Sequence, residues 1–297
     1  MIPIRFRNNE TKTVNSLYHT LLNIKYRQKK RKAYIFMIKN INTWCVNNII
    51  FSGHAYTFPE IIQADYETIE KIAQIIDAGK SLPLLYKKYI IEFLYAHRFP
   101  RREFLSELEV TVCPYCNRNF VNSARKRTMC DLDHFFDKDT YPILAVSFYN
   151  IVPVCHSCNH IKASQRISYS SHNQKYKTDD LVTFDYYIKG MDFLVDKKQL
   201  GIEIETAMEL EDNVDILKLR EVYQIHTDVV QECIKKAIIF EPEYLNFLYY
   251  TYEELFESEE ELYRIVYGDY IMEEAYGKRP LAKLTSDIIS DLLEIYE

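Results

Sequence analysis

The chain has 297 residues, 47% hydrophobic, 14% aromatic and 27% charged, with a net charge of −6. This is enough apolar side chain for a packed core and argues against a disordered chain. No stretch reaches the ~18 uncharged apolar residues of a membrane span, and the opening MIPIRFRNNETKT lacks the apolar run of a signal peptide, so a soluble cytoplasmic protein is expected.

The charge is unevenly placed. Residues 1–200 hold 29 Lys/Arg against 19 Asp/Glu, and residues 201–297 hold 8 against 24. The first two thirds, at +10, can attract a polyanion; the last third, at −16, repels one. An unevenly charged solvated surface is the plain alternative.

Residues 11–50 read as mostly helical, with Val14, Leu17, Leu21 and Ile24 at helical spacing. The run KYRQKKRK, Lys25 to Lys32, carries six positive charges and is either a solvated helix face or a phosphate-contacting patch. Residues 59–77 and 83–97 read as two further helices opened by Pro59 and Pro83, with Pro100 closing the helical region. Residues 106–170 change character, and residues 182–205 read as short strands punctuated by Gly190 and Gly201. From Glu209 the pattern is helical again. Residues 212–240 read as one long amphipathic helix capped by Asp212 or Asn213, followed by shorter helices. His19, His54, His97 and His226 stand alone and are expected to be surface or core residues.

The expected fold class is therefore α+β and mainly helical. Its parts are an N-terminal helical region (1–105), a central metal-stabilised module (106–170) and a C-terminal region of short strands and acidic helices (171–297).

The chemistry concentrates in the middle. Of seven cysteines, Cys113 and Cys116 form one Cys-x-x-Cys and Cys155 and Cys158 another, 38 residues apart. In a reducing compartment two such pairs read as a tetrahedral four-sulfur zinc site. A redox site would account for one pair but not for both. Four thiolates leave no position for water, so this zinc should be structural.

Between the pairs lies CDLDHFFDK, with Asp133 and His134, and then Asn150 in FYNIVPV and Asn159 in CHSCNHIKAS. Asn150 stands nine residues before Asn159, and Lys162 follows three residues later. This order of cysteine pair, Asp-His, Asn and Cys-x-x-Cys-Asn resembles the HNH endonucleases of the ββα-metal class. The resemblance covers residues 113 to about 164.

It implies a hairpin with Asp133 and His134 on one strand, residues 151–154 on the other, and a helix over about 157–165. It also implies roles: His134 as general base, Asn150 orienting its imidazole, and Asp133 and Asn159 binding a catalytic Mg²⁺ or Mn²⁺ through hard oxygen donors. His160 could replace Asn159 as a ligand. Arg118, His156, His160, Lys162 and Arg166 are candidate phosphate contacts, each equally readable as a surface residue.

CPYCNRNF, the stretch from Asp131 to Lys162 and the late GKRPLAKLTSDI also resemble the HNH subunits of Septu-type and retron-associated phage-defence systems. That resemblance implies a DNA-cutting effector working with an ATPase of the ABC or OLD-like kind. No Gly-rich phosphate loop occurs in this chain, so such an ATPase must be a separate protein; self-association is left open. The rival from another class is a non-catalytic, zinc-stabilised nucleic-acid-binding or scaffolding protein, which needs none of Asp133, His134, Asn150 or Asn159.

Overall fold

The computed structural model describes residues 2–23, 28–124 and 127–294. The predicted helical position Ile24 and most of the basic run at 25–32 fall outside the described side chains; Arg31 and Lys32, at its helical end, are exposed.

The N-terminal region is a stack of helices. Helix α1 (Glu10–Leu22) is opened by Asn9, whose side chain accepts from the Lys12 amide, and it buries Val14, Leu17 and Leu21 as their spacing predicts. Helix α2 (Gln28–Asn48) leads to a small hairpin, β1 (Ile50–Phe51) with β2 (His54–Ala55). The single helix predicted over 59–77 is two. Helix α3 (Phe58–Gln63) starts from a reciprocal Thr57–Glu60 cap. The backbone then leaves the helical region at Ala64, and Asp65 caps α4 (Tyr66–Asp77). Helix α5 (Leu84–Lys88) continues into a wide π-helical segment, Tyr89–Arg98. Pro100 does not end the helical region; it precedes α6 (Arg101–Glu107), the position where a missing N–H is harmless.

A two-residue hairpin, β3 (Ser123–Ala124) with β4 (Arg127–Thr128), precedes the central hairpin, β5 (Asp131–His134) with β6 (Ile151–Val154). Helix α7 (His156–Lys162) follows at once and stops at Ala163, where φ is +47°. After α8 (Thr178–Leu181), the predicted strands form one antiparallel hairpin, β7 (Val182–Ile188) with β8 (Leu200–Thr206). Gly201 faces Tyr187 across it. A Cβ there would lie 2.2 Å from the tyrosine ring, so the missing side chain is what lets the ring lie flat on the strand.

The long helix predicted over 212–240 is broken into α9 (Met208–Ile216), α10 (Leu219–Tyr223) and α11 (Thr227–Ile239). Lys218 turns left-handed at φ 55°, and residues 224–226 tighten into a 3₁₀ turn. These breaks let Leu217, Leu219, Tyr223, Val230, Cys233 and Ile234 all reach the core. Asn213 is no cap. It is fully buried and brackets one residue: its Nδ2 donates to the Tyr169 carbonyl at 2.7 Å, and its Oδ1 accepts from the Tyr169 amide at 2.9 Å. Helices α12 (Pro242–Thr251), α13 (Glu259–Tyr267) and α14 (Ala282–Glu294) complete the chain. α12 buries only Leu245 and leaves Tyr244, Phe247 and Tyr250 exposed.

Most of the buried apolar residues, from Ile4 to Leu292, form one contiguous cluster drawing on all three stretches distinguished in the sequence, and Ile2, Tyr276 and Ala282 form a second, small one. The C-terminal part is stitched to the first cysteine pair. Asn117, left-handed at φ 48°, donates from Nδ2 to the Tyr276 carbonyl at 2.8 Å, while its own carbonyl accepts from the Leu281 amide at 2.6 Å. The Tyr223 hydroxyl donates to the Cys116 carbonyl at 2.6 Å. Lys283, almost fully buried, pairs with Asp179 at 2.7 Å and Asp287 at 2.5 Å. No described helix is long and apolar enough to cross a membrane.

Replacing Asn213 by Ala strands both polar groups of the Tyr169 backbone. Each unsatisfied buried group costs about 1–3 kcal/mol, so Asn213→Ala should lose about 2–4 kcal/mol in urea unfolding. A loss under about 0.5 kcal/mol would show that the bracket is not structural.

Candidate active site and metal centre

The sulfurs of Cys113, Cys116, Cys155 and Cys158 lie within 4.8 Å of one another, and all four residues are buried. Cys116 Sγ and Cys155 Sγ are 3.9 Å apart. Four thiolates at a Zn–S distance of about 2.3 Å require sulfur separations of about 3.8 Å, so the cluster has the geometry to hold a structural metal such as zinc. The surroundings suit anionic sulfur. The Cys155 amide donates to Cys113 Sγ at 3.3 Å, the Arg118 amide to Cys116 Sγ at 3.4 Å, and Asn119 Nδ2 to Cys155 Sγ at 3.5 Å.

Strand β5 crosses β6 so that Asp133 faces Val152 and His134 faces Ile151. Asp131 and Asp133 sit two residues apart and therefore share a face of β5, while Asn159 and Lys162 sit three apart on one face of α7. The two elements meet in two polar pairs. Asn159 Nδ2 donates to Asp131 Oδ2 at 3.0 Å, and Lys162 Nζ lies 3.2 Å and 3.1 Å from the two oxygens of Asp133. Asp133 and Lys162 are both buried, and Lys162 also donates to the His134 carbonyl at 3.0 Å. Burial pushes the Asp133 carboxyl above its ordinary value, and Lys162 pulls it back down.

His134 is 6% exposed, packed edge-on against Tyr95 with ring centroids 4.5 Å apart. Its Nε2 lies 3.0 Å from the Ala145 carbonyl oxygen. A carbonyl can only accept, so Nε2 carries the proton and the neutral ring leaves its lone pair on Nδ1. Burial holds the imidazole down to about 4, so it is neutral at neutral pH. Asn150 holds the neighbouring loop. It is fully buried, its Oδ1 accepts from the Phe136 amide at 2.7 Å, and its Nδ2 donates to the carbonyls of Phe136 and Leu144, both at 3.0 Å. The Leu144 carbonyl immediately precedes the Ala145 unit that receives His134.

The residues expected at phosphate are placed differently from one another. His156 and His160 are exposed on α7 with their rings stacked, and His156 Nδ1 lies 2.9 Å from Asp131 Oδ2. Lys162 is buried, its ammonium paired with the Asp133 carboxylate. Arg118 is likewise engaged inward, donating to His226 Nε2 at 2.8 Å and lying over the Tyr223 ring. Arg166 is half-exposed and bonded to Asp77 and Tyr141.

Three residues escaped the motif. Asp131 joins Asn159 and His156; strand alternation from Asp133 would have found it. The Tyr115 hydroxyl donates to Asp133 Oδ2 at 2.6 Å, a contact with no sequence signal. His172, buried, donates from Nε2 to the Ile151 carbonyl at 2.9 Å, and burial holds it down to about 4. Asp131, Asp133 and Asn159 carry hard oxygens of the kind a divalent cation takes, but both Asp133 oxygens are engaged here, by the buried Lys162 ammonium and the Tyr115 hydroxyl.

Over 91 residues the chain is 29% identical to the Septu protein PtuB of Bacillus thuringiensis. The matched stretch is 30% of this chain and 34% of that protein, so the chain spans about a third of its length. No protein-family model matches the chain, and no solved structure matches it.

The two buried histidines contribute to the response to acid. Both are held down to about 4 in the fold against about 6.5 in the unfolded chain, so neither affects stability above pH 6.5. Below it the unfolded chain takes up protons that the folded histidines refuse. Each histidine should therefore remove on the order of 3 kcal/mol of stability as pH drops from about 6.5 to 4, against an opposite contribution from Asp269, whose carboxyl burial raises to about 6. Urea midpoints measured across this range should show it, with His172→Gln removing about one proton from the slope. An unchanged slope in that variant would contradict the assignment.

Proposed function

We propose that the chain is a metal-dependent HNH endonuclease that hydrolyses phosphodiester bonds of DNA. The observation that carries this reading is the state of His134. Its ring is neutral, its proton is committed to the Ala145 carbonyl by a loop that Asn150 brackets, and its Nδ1 makes no hydrogen bond among the described residues. A fixed, unprotonated nitrogen is one requirement of a general base; the depression of the ring to about 4 works against the other, a basicity near the operating pH. Around it, Asp133 and Asn159 on β5 and α7, joined by Asp131, carry the oxygens that would hold Mg²⁺ or Mn²⁺ once the cation displaced the Lys162 ammonium from Asp133. The bound cation would supply Lewis-acid stabilisation of charge at the scissile phosphate.

In hydrolysis, Nδ1 takes the proton of the attacking water, the new P–O bond forms, and the leaving oxygen departs from phosphorus. Lys162 ties the His134 backbone to Asp133, so base and metal ligand keep a common frame. The zinc site clamps the ends of the segment that carries both. The exposed His156 and His160 offer donors to phosphate oxygens beside Asp131.

The similarity to the Septu protein PtuB supports a role in bacterial anti-phage defence; a separate ATPase partner is proposed with it. The rival reading, a zinc-stabilised nucleic-acid-binding or scaffolding protein, draws on the burial of the Asp133–Lys162 pair, which a purely structural core would also use.

Plasmid nicking with Mg²⁺ or Mn²⁺ separates the two. His134→Ala should retain zinc and fold while cleavage drops by ~100-fold or more, the usual loss for a general base. Asp133→Ala should lose activity that excess Mn²⁺ partly restores. Near wild-type cleavage by His134→Ala at wild-type zinc content would falsify the mechanism.

A further inference from the structure

Three of the cations expected at phosphate are already committed: Lys162 to Asp133, Arg118 to His226 and Arg166 to Asp77. The positive excess of residues 1–200 has to act elsewhere, and α1 carries a surface of the right chemistry. Lys12, Asn15, Ser16, His19, Thr20 and Asn23 recur at helical spacing and are all exposed. They lie on the side of α1 away from the buried Val14, Leu17 and Leu21. Together with Arg98, from the end of the π-helical segment, they line an open groove of about 730 Å³. No carboxylate lines it. At 1.5 Å per residue the stripe from Lys12 to Asn23 is about 16 Å long. The hollow on the other flank of α1 differs, because Glu103 and Glu107 line it.

We propose that this groove holds the sugar–phosphate backbone of DNA, with Lys12 and Arg98 as its phosphate contacts. The inference rests on the nuclease reading for the identity of the polyanion, but the groove shares no residue with the His134 site. Arg98 has five N–H donors. Its Nη2 donates to the Thr20 carbonyl at 3.4 Å, and its Nε is buried without a partner among the described residues. A buried donor without an acceptor is costly, and a phosphate oxygen entering the groove would supply one. The neutral lining suits the same ligand, since hydroxyls and amides contact phosphate alongside Arg and Lys. The groove also runs toward more positive charge. The Tyr34 hydroxyl donates to the Leu22 carbonyl at 3.0 Å. This holds the start of α2, with the exposed Arg31 and Lys32 one turn or less before Tyr34, at the Asn23 end of the stripe. A stripe of this length can follow several phosphates of one strand, which carries one charge per about 3.4 Å of helix axis.

The test is Lys12→Gln with Arg98→Gln in the full, zinc-loaded chain, without added Mg²⁺ or Mn²⁺ so that the DNA stays whole. Binding of a short fluorescein-labelled DNA duplex is followed by anisotropy over a series of salt concentrations. Kd should rise by about 10-fold at a given salt concentration, and the slope of log K against log [salt] should shrink by about 2, one for each phosphate contact removed. Arg98 also touches the α1 backbone, so Lys12→Glu, a change at an exposed position, is measured beside it and should weaken binding as well. The same loss of charge elsewhere, Lys189→Gln after β7 with Lys235→Gln on α11, should leave the slope unchanged. Wild-type Kd and slope in both groove variants overturn the proposal. An equal loss in the control pair overturns it too, because net charge alone would then be felt. A wild-type chain that binds the duplex through the groove but never cuts it with Mn²⁺ removes the nuclease reading and keeps the groove. A wild-type chain with no affinity for the duplex removes the groove.

Discussion

Four sulfurs within 4.8 Å of one another are the constraint on which the central module depends. As thiolates they repel, and only a cation between them makes their proximity favourable. A metal held there would add its binding energy to the hydrophobic core that the hairpin already shares with the rest of the chain. It closes the 38 residues between the pairs and pins both ends of a hairpin with four residues per strand. A two-stranded sheet this short is marginal alone. Fastened at Cys113–Cys116 below and Cys155–Cys158 beyond, and packed with β6 fully buried, it becomes a rigid frame.

On that frame sits an unusual concentration of buried polar groups: Asp133, His134, Asn150 and Lys162, with the Tyr115 hydroxyl. Buried charges are costly unless paired, and here each has a partner. The carboxylate faces an ammonium and a phenol, the imidazole a carbonyl, and the amide three backbone groups. A network in which every member is satisfied has few alternative arrangements, so it specifies one geometry. The same burial that weakens the fold in acid keeps His134 unprotonated at neutral pH. Stability and chemistry are set here by one physical quantity, the low polarity around the ring.

Much of this was legible in the sequence for a simple reason. Thiols in Cys-x-x-Cys pairs and an Asp-His on a short apolar run are local signals, and the helical stripe of Val14, Leu17 and Leu21 is periodic. What could not be read was set by distant parts of the chain. Lys162 looked like a surface cation because nothing nearby in sequence shows that Asp133 lies against it, 29 residues away. The contact of Tyr115 with Asp133 depends on how the cysteine turn is folded. Residues 212–240 carry one apolar periodicity, but a straight helix would present a single stripe. The core takes side chains from several directions, which the left-handed Lys218 permits. Arg118 and His226 had no reason to be connected until Tyr223 brought α10 against the cysteine turn.

The bonds from Asn117 to Tyr276, Leu281 and Lys283 span 159 to 166 residues, and they bear on how the protein is made. At ribosomal speeds of about 5–20 residues per second, the turn holding the first two thiols emerges roughly 10–30 seconds before the segment that covers it. During that interval the cysteines can meet metal, and β5 can meet β6, but the Asn117 carbonyl and side chain stay open to water. The framework around Asp133 is therefore finished only once residues 276–283 have been made, and a chain stopped before residue 276 lacks the cover. Synthesis itself imposes an order of events, in which the last helix closes over the first metal-binding turn.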